Sequence, residues 1–193
     1  MNKSKILQFY KEYNTPKNVI AHMKQVAKIC ENLANKFEDK GVKINKELLL
    51  SAALLHDALR VCDIKNYNPF EIKKNATKED IRVWEDLRKK YYKMGHEKAI
   101  SKLLKERGES KIANLILKHD FYLIDKLKTW EEKILYYADK RVDHDKIVSL
   151  KKRFKEGKKR NNGPGDDFAL IGKVEEKIIL LEKEIFSFLR CRI

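Results

Sequence analysis

An all-α fold, a compact helical bundle with an additional C-terminal helix, is predicted by three features of this 193-residue chain. Apolar residues recur at helical spacing along most of its length. Punctuation is sparse, at three prolines and seven glycines, and strand-like alternation is scarce.

Taken in order, residues 4–12 read as a short amphipathic lead-in within an N-terminal segment 1–14. Thr15-Pro16 reads as an N-cap followed by proline at the first helical position. The helix so opened carries Val19, Val26, Ile29, Cys30, Leu33 and Phe37 as one stripe and ends near Lys40-Gly41. A second helix, from about Asn45 to Arg60, is apolar on nearly all sides and is therefore expected at the centre. Residues 61–80 read as a loop or lid with short helical turns. Thr77-x-x-Asp80 resembles a capping box and opens a further helix. Gly95 opens another, and Ser110–His119 and Glu131–Val142 are two more. His144–Lys155 is expected to be helical. Gly157 to Asp167 (GKKRNNGPGDD) reads as a basic linker between a main domain, 15–156, and a final segment, 168–193. In that segment Leu170, Val174, Ile178, Leu181, Ile185 and Leu189 have the spacing of a docking or dimerising helix.

Composition narrows the function classes. The hydrophobic share of 42% supports a core, and no apolar run approaches the roughly 20 residues of a membrane span. With no secretory leader pattern at Met1-Asn-Lys-Ser-Lys, a cytoplasmic location without membrane attachment is expected. Cys30, Cys62 and Cys191 are odd in number and far apart, which argues against a disulfide framework or a structural zinc cluster. The formal charge of +15 reads mainly as lysine spread over solvated helix faces. It favours anionic substrates and admits nucleic acid as a partner. There is no G-x-x-x-x-G-K-[ST] loop, no G-x-G-x-x-G and no recognised nucleic-acid module.

The histidines carry the chemistry. His22 falls on the buried stripe of its helix, His56-Asp57 ends the most apolar segment, and Asp139 follows Ile134-Leu-Tyr-Tyr-Ala138. Burying two imidazoles and two carboxylates costs several kcal/mol, about 2–7 per unpaired polar group and more for a charge, unless they are paired or bound to a cation. Imidazole and carboxylate together are ligands for divalent metals. His-Glu-Lys-Ala-Ile at 96–100 falls short of a metalloprotease motif, because Ile100 stands where a second histidine is needed. His144, between Asp143 and Asp145, reads as a surface helix start.

The order His22, His56-Asp57, Asp139 resembles the HD superfamily of metal-dependent phosphohydrolases. Leu49–Asp57 (L-L-x-A-A-L-L-H-D) is similar to the apolar run into that family's His-Asp doublet, and Lys133–Lys140 (K-I-L-Y-Y-A-D-K) to the segment bearing its last ligand. Many members continue the doublet as Ile-Gly-Lys; here it is Ala58-Leu59-Arg60. The resemblance covers about residues 15–145 and implies an all-helical HD-domain-like bundle. It implies one or two divalent ions (Fe, Mn, Ni, Co, Mg or Zn), with His22, His56, Asp57 and Asp139 holding the first. Asp57, His96 and His119 would hold the second.

The implied reaction is hydrolysis of a phosphomonoester or phosphodiester, most naturally of a nucleotide or dinucleotide, by water that the metal acidifies. Asp57, Arg60 and Lys140 are the expected catalytic residues. Arg60, Lys140 and Arg141 are the nearby cations for phosphoryl charge. Glu97 and Asp120 adjoin the second-metal histidines and are candidates to orient them. Tyr67, Phe70, Trp84, Tyr91 and Tyr92 populate the expected lid, where a base can stack, although Trp84 reads as core. Two other readings use the same residues. One is a di-iron oxygenase of the same fold; the other is a regulatory or nucleic-acid-binding module.

Overall fold

In the computed structural model, which describes residues 1–160 and 167–190, most helices begin where a side chain satisfies an orphan backbone donor. Helix α1 (Lys3–Glu12) opens on Asn2, which accepts from the Lys5 N–H. Helix α2 (Lys17–Asp39) buries Met23, Val26, Cys30, Leu33 and Phe37 and ends before Gly41, whose φ of +80° suits a residue without Cβ. Helix α3 (Lys46–Ala53) is capped by Asn45, and a short α4 (Pro69–Ile72) by Asn68. Helix α5 (Lys78–Tyr91) carries the predicted capping box of Thr77 and Asp80. Helices α6 (His96–Glu106), α7 (Ser110–Leu117) and α8 (Trp130–Lys140) complete the bundle. A minimal hairpin, β1 (Val142–Asp143) and β2 (Lys146–Ile147), leads to α9 (Leu150–Arg160) and α10 (Phe168–Leu189).

Helix α3 is the hub. It packs against α2, α7 and α8, while α2 also packs on α8 and α6 on α7. Leu49, Ala52 and Ala53 have no exposed surface. Helix α10 buries Val174, Ile178, Leu181, Ile185 and Leu189 within the same chain, largely on α8 and on a 3-10 turn, Phe121–Lys126. Its predicted stripe is shorter by one residue, since Leu170 is exposed. No helix among the described residues is long and apolar enough to cross a membrane.

Several expectations change. The Thr15 hydroxyl does not cap α2: it donates to the Ala58 carbonyl at 3.1 Å and ties the start of α2 to the segment after α3, leaving Pro16 at the N-cap. Helix α3 stops at Ala53 rather than near Arg60. Beyond it the backbone tightens into successive i→i−3 bonds, Leu55 to Ala52, Ala58 to Leu55, Arg60 to Asp57 and Cys62 to Leu59, ending in a 3-10 turn over Arg60–Asp63. Residues 144–149 are not helical, because His144 adopts φ +55° in the hairpin turn and Val148 N–H donates to the Arg141 carbonyl. Helix α9 runs on past Gly157 to Arg160, carried by lysines that tolerate helix well. The rest of the predicted linker up to residue 166, and Cys191, lie outside the described residues. Cys30 and Cys62 are buried free thiols.

Candidate metal centre

The 3-10 geometry after α3 sets the site. With about three residues per turn, side chains at i and i+3 eclipse, so Asp57, Arg60 and Asp63 rise along one face. Helix α2 brings His22, α6 brings His96 on its first turn, α7 ends just before His119, and α8 delivers Asp139 near its C-terminus. His56, His96, His119 and Asp139 are all buried.

One carboxylate faces all four imidazoles. Asp57 Oδ1 lies 3.0 Å from His96 Nε2, 3.5 Å from His119 Nε2 and 3.9 Å from His56 Nε2, while its Oδ2 lies 3.9 Å from His22 Nε2. Asp139 Oδ1 lies 3.0 Å from His22 Nε2 and 3.5 Å from His56 Nε2. Three sets bring one ligand atom apiece to within 4.8 Å of one another: His22, His56 and Asp139; His56, Asp57 and His119; His96, Glu97 and His119.

The opposite nitrogen of each ring is held by an acceptor. His56 Nδ1 donates to the Ala53 carbonyl at 2.9 Å, and His119 Nδ1 to the Ile116 carbonyl at 2.6 Å. Both carbonyls lie in the last turn of a helix, and the Ile116 carbonyl also accepts the His119 backbone N–H at 3.0 Å. His22 Nδ1 donates to the His144 carbonyl at 2.9 Å, and His96 Nδ1 to Asp63 Oδ2 at 2.7 Å. A carbonyl or carboxylate only accepts, so Nδ1 carries the proton in each ring. Nε2 is thereby the nitrogen that each ring turns toward Asp57 or Asp139, and it can bind a cation once it is unprotonated.

Electrostatics follow the same arrangement. Burial alone would raise the carboxyl pKa of Asp57 and Asp139. The imidazoles around Asp57, and Lys140 with His22 and His56 around Asp139, hold both well below the ordinary range. Burial would lower His96, but Asp57 and Asp63 raise it to about 9. His22 is likewise raised against burial by Asp139, whereas burial leaves His119 lowered.

A divalent cation fits these residues. His56 Nε2 is fully buried and has no hydrogen-bond partner among the described residues, a costly condition that a bound cation would relieve. The donor set of imidazole nitrogens and carboxylate oxygens matches first-row divalent ions.

Not every predicted residue arrives here. Arg60 does: its Nη1 lies 2.7 Å from His96 Nδ1 and 3.5 Å from Asp63 Oδ1. Burial would lower its pKa, but Asp57, Asp63 and Glu97 raise it, so it stays cationic. Lys140 is buried and commits its ammonium to Asp139 Oδ2 at 2.6 Å and the His119 carbonyl at 3.2 Å. Arg141 is drawn elsewhere, to Glu182 on α10 at 3.0 Å, the Val148 carbonyl at 2.7 Å and the Tyr137 hydroxyl. Asp120 caps the turn after His119 by accepting from the Tyr122 N–H. Trp84 is core, its Nε1 donating to the Asn14 carbonyl. Sequence reasoning missed Asp63, which holds both the Nδ1 and the backbone N–H of His96. It also missed the His144 carbonyl. Neither has a periodic signal: Asp63 is one acid in a mixed loop, and a backbone carbonyl has no residue type.

No curated protein and no solved structure matches the chain. The HD domain family matches residues 19–142, which spans every one of the six proposed ligands. With His22, the His56-Asp57 doublet and Asp139 converging as described, the chain belongs to the HD domain family.

Proposed function

We propose that this protein is a metal-dependent phosphohydrolase that cleaves a phosphomonoester or phosphodiester of a nucleotide. The observation that carries the reading is Asp57, whose two oxygens lie within 4 Å of all four imidazoles. A carboxylate so placed is suited to bridge two cations, with His22, His56 and Asp139 on one side and His96 and His119 on the other. When bound, divalent ions at such a centre acidify a water and polarise a phosphoryl group.

The protein's own groups supply the rest. The four Nδ1 bonds fix the rings before any ligand arrives, so little reorganisation accompanies binding. Arg60, whose side chain is nearly half exposed beside His96, offers guanidinium protons to phosphoryl oxygens. Lys140 is a positioning residue: it holds Asp139 Oδ2, so that Oδ1 is the oxygen turned toward His22 and His56.

The test is a phosphatase and phosphodiesterase screen over nucleotides, with Mn, Mg, Co, Ni and Fe supplied separately and dioxygen excluded. Hydrolysis that disappears with chelator and in Asp57→Ala is the expected result. Absence of hydrolysis with every metal overturns the reading, and turnover that requires dioxygen points instead to oxygenase chemistry.

A further inference from the structure

A cleft of about 360 Å³ borders Lys140, the residue bonded to Asp139, and much of its lining comes from chain beyond the family's 19–142 region. Lys140 lines it and joins it to the ligands through Asp139. Arg153 and Phe154 reach it from α9, Phe168 from α10, Phe121 from the turn after His119, and Lys65 from the loop after the 3-10 run.

Its chemistry is aromatic and cationic. Phe168 is half exposed, an arrangement that leaves a large ring facing solvent without burial to stabilise it. Of the cations, Lys140 is matched by Asp139 and Lys158 by Glu175 at 2.7 Å. Lys65 and Arg153 have no acidic partner among the described residues. Among the described residues Arg153 Nε is also buried without a hydrogen-bond partner, an unmet donor on a side chain that lines the cleft. The volume is at the low end of the range for small-molecule sites, about 300–1,000 Å³, and suits one nucleoside unit.

We propose that the cleft formed with α9 and α10 is a recognition pocket for a nucleotide bearing a second phosphate, with its base against Phe154 and its neighbours and that phosphate on Arg153 and Lys65. Its role as the substrate pocket rests on the phosphohydrolase reading. Specificity then resides largely outside the HD region, and the scissile phosphate alone reaches the metal centre.

Calorimetric binding to the full-length, chelator-treated protein tests this with two probes. Adenosine 3′,5′-bisphosphate offers a ring and separated phosphates; inorganic pyrophosphate offers charge without a ring. The bisphosphate is expected to bind at least about tenfold tighter. Phe154→Ala should weaken the bisphosphate about tenfold and leave pyrophosphate unchanged, whereas Arg153→Gln should weaken both by about tenfold. Phe154→Leu, which keeps the apolar packing, should behave like the alanine variant and melt like the wild type. Equal affinity for the two probes, or variants that bind the bisphosphate within twofold of wild type, overturns the pocket. Mn²⁺ binding, unchanged in these variants, separates the claims. Tight bisphosphate binding without any metal-dependent hydrolysis removes the enzymatic reading and leaves the pocket standing; hydrolysis indifferent to Arg153 and Phe154 does the reverse.

Discussion

At the scale of single residues, the centre depends on what lies behind each imidazole. Asp63 accepts twice from His96, at Nδ1 and at the backbone N–H that α6 leaves unpaired at its first turn. Asp63→Asn can still accept one of these bonds but loses the charge that keeps His96 oriented and basic. The expected result is a metal affinity reduced by about 10- to 100-fold with the fold intact, read by titration calorimetry with Mn²⁺ against circular dichroism. His144 makes the opposite case. It serves through its carbonyl to His22 and its φ of +55°, not through its ring. Asparagine tolerates that backbone region, so His144→Asn should bind metal like the wild type, while His22→Ala should not; a loss in His144→Asn would make the His144 ring itself a ligand. Of the six proposed ligands, His22, His56, Asp57 and Asp139 stood out in the sequence as polar residues on apolar segments, and His96 and His119 entered through the resemblance to the HD superfamily. Asp63 and the His144 carbonyl did neither, since orientation is a three-dimensional relation that leaves no spacing to read.

At the scale of elements, capping decided where helices start and competition between α and 3-10 bonding decided where the central one stops. The run from about Asn45 to Arg60 reads as one apolar helix, yet α3 ends at Ala53. Continuing it would have kept about 3.6 residues per turn, which separates Asp57 from Asp63; the tighter turn aligns them with Arg60. Hydrophobicity does not distinguish the two conformations, so the pattern placed the doublet correctly and its backbone wrongly. The capping box of α5 was legible because its residue types are its mechanism. Asp80 accepts from Thr77 N–H and Oγ1 at 2.8 Å each and from Lys73 Nζ at 2.5 Å. Burial would raise its pKa, but these bonds hold it below the usual value. A depressed carboxyl contributes stability that is present above the unfolded pKa, about 3.9, and is lost as pH falls through the lower folded value. Asp80→Ala should therefore cost about 1 kcal/mol at neutral pH in urea unfolding. Below about pH 4 the difference from wild type should shrink; a gap that stayed constant into acid would show that charge plays no part in the cap.

At the scale of the whole molecule, elements distant in sequence meet at one charged centre inside an apolar bundle. Helix α10 reinforces this by covering α8, the helix that bears Asp139, through its apolar stripe and the Lys133–Glu184 and Arg141–Glu182 pairs. Arg141 thus contributes to assembly where its position beside Asp139 in sequence had suggested substrate binding. The +15 charge gave no hint of this pairing, because net charge reports on the surface field and not on which cation meets which acid. A cation held by the buried cluster would link its binding to folding: one that binds the folded centre and not the unfolded chain stabilises by RT ln(1 + [L]/Kd), about 2.7 kcal/mol at a hundredfold excess over Kd. For a chain of this length each kcal/mol moves the midpoint by about 2–4 °C. Saturating Mn²⁺ should accordingly raise the melting temperature by about 5–10 °C over the chelated protein, as followed by differential scanning calorimetry. The shift should vanish in Asp57→Ala, which removes the one carboxylate facing every ring, and persist in Arg60→Gln, since Arg60 is placed for substrate and not for metal. A shift retained in Asp57→Ala would mean that the stabilising cation binds elsewhere on the molecule, and the bridging role assigned to Asp57 would fall with it.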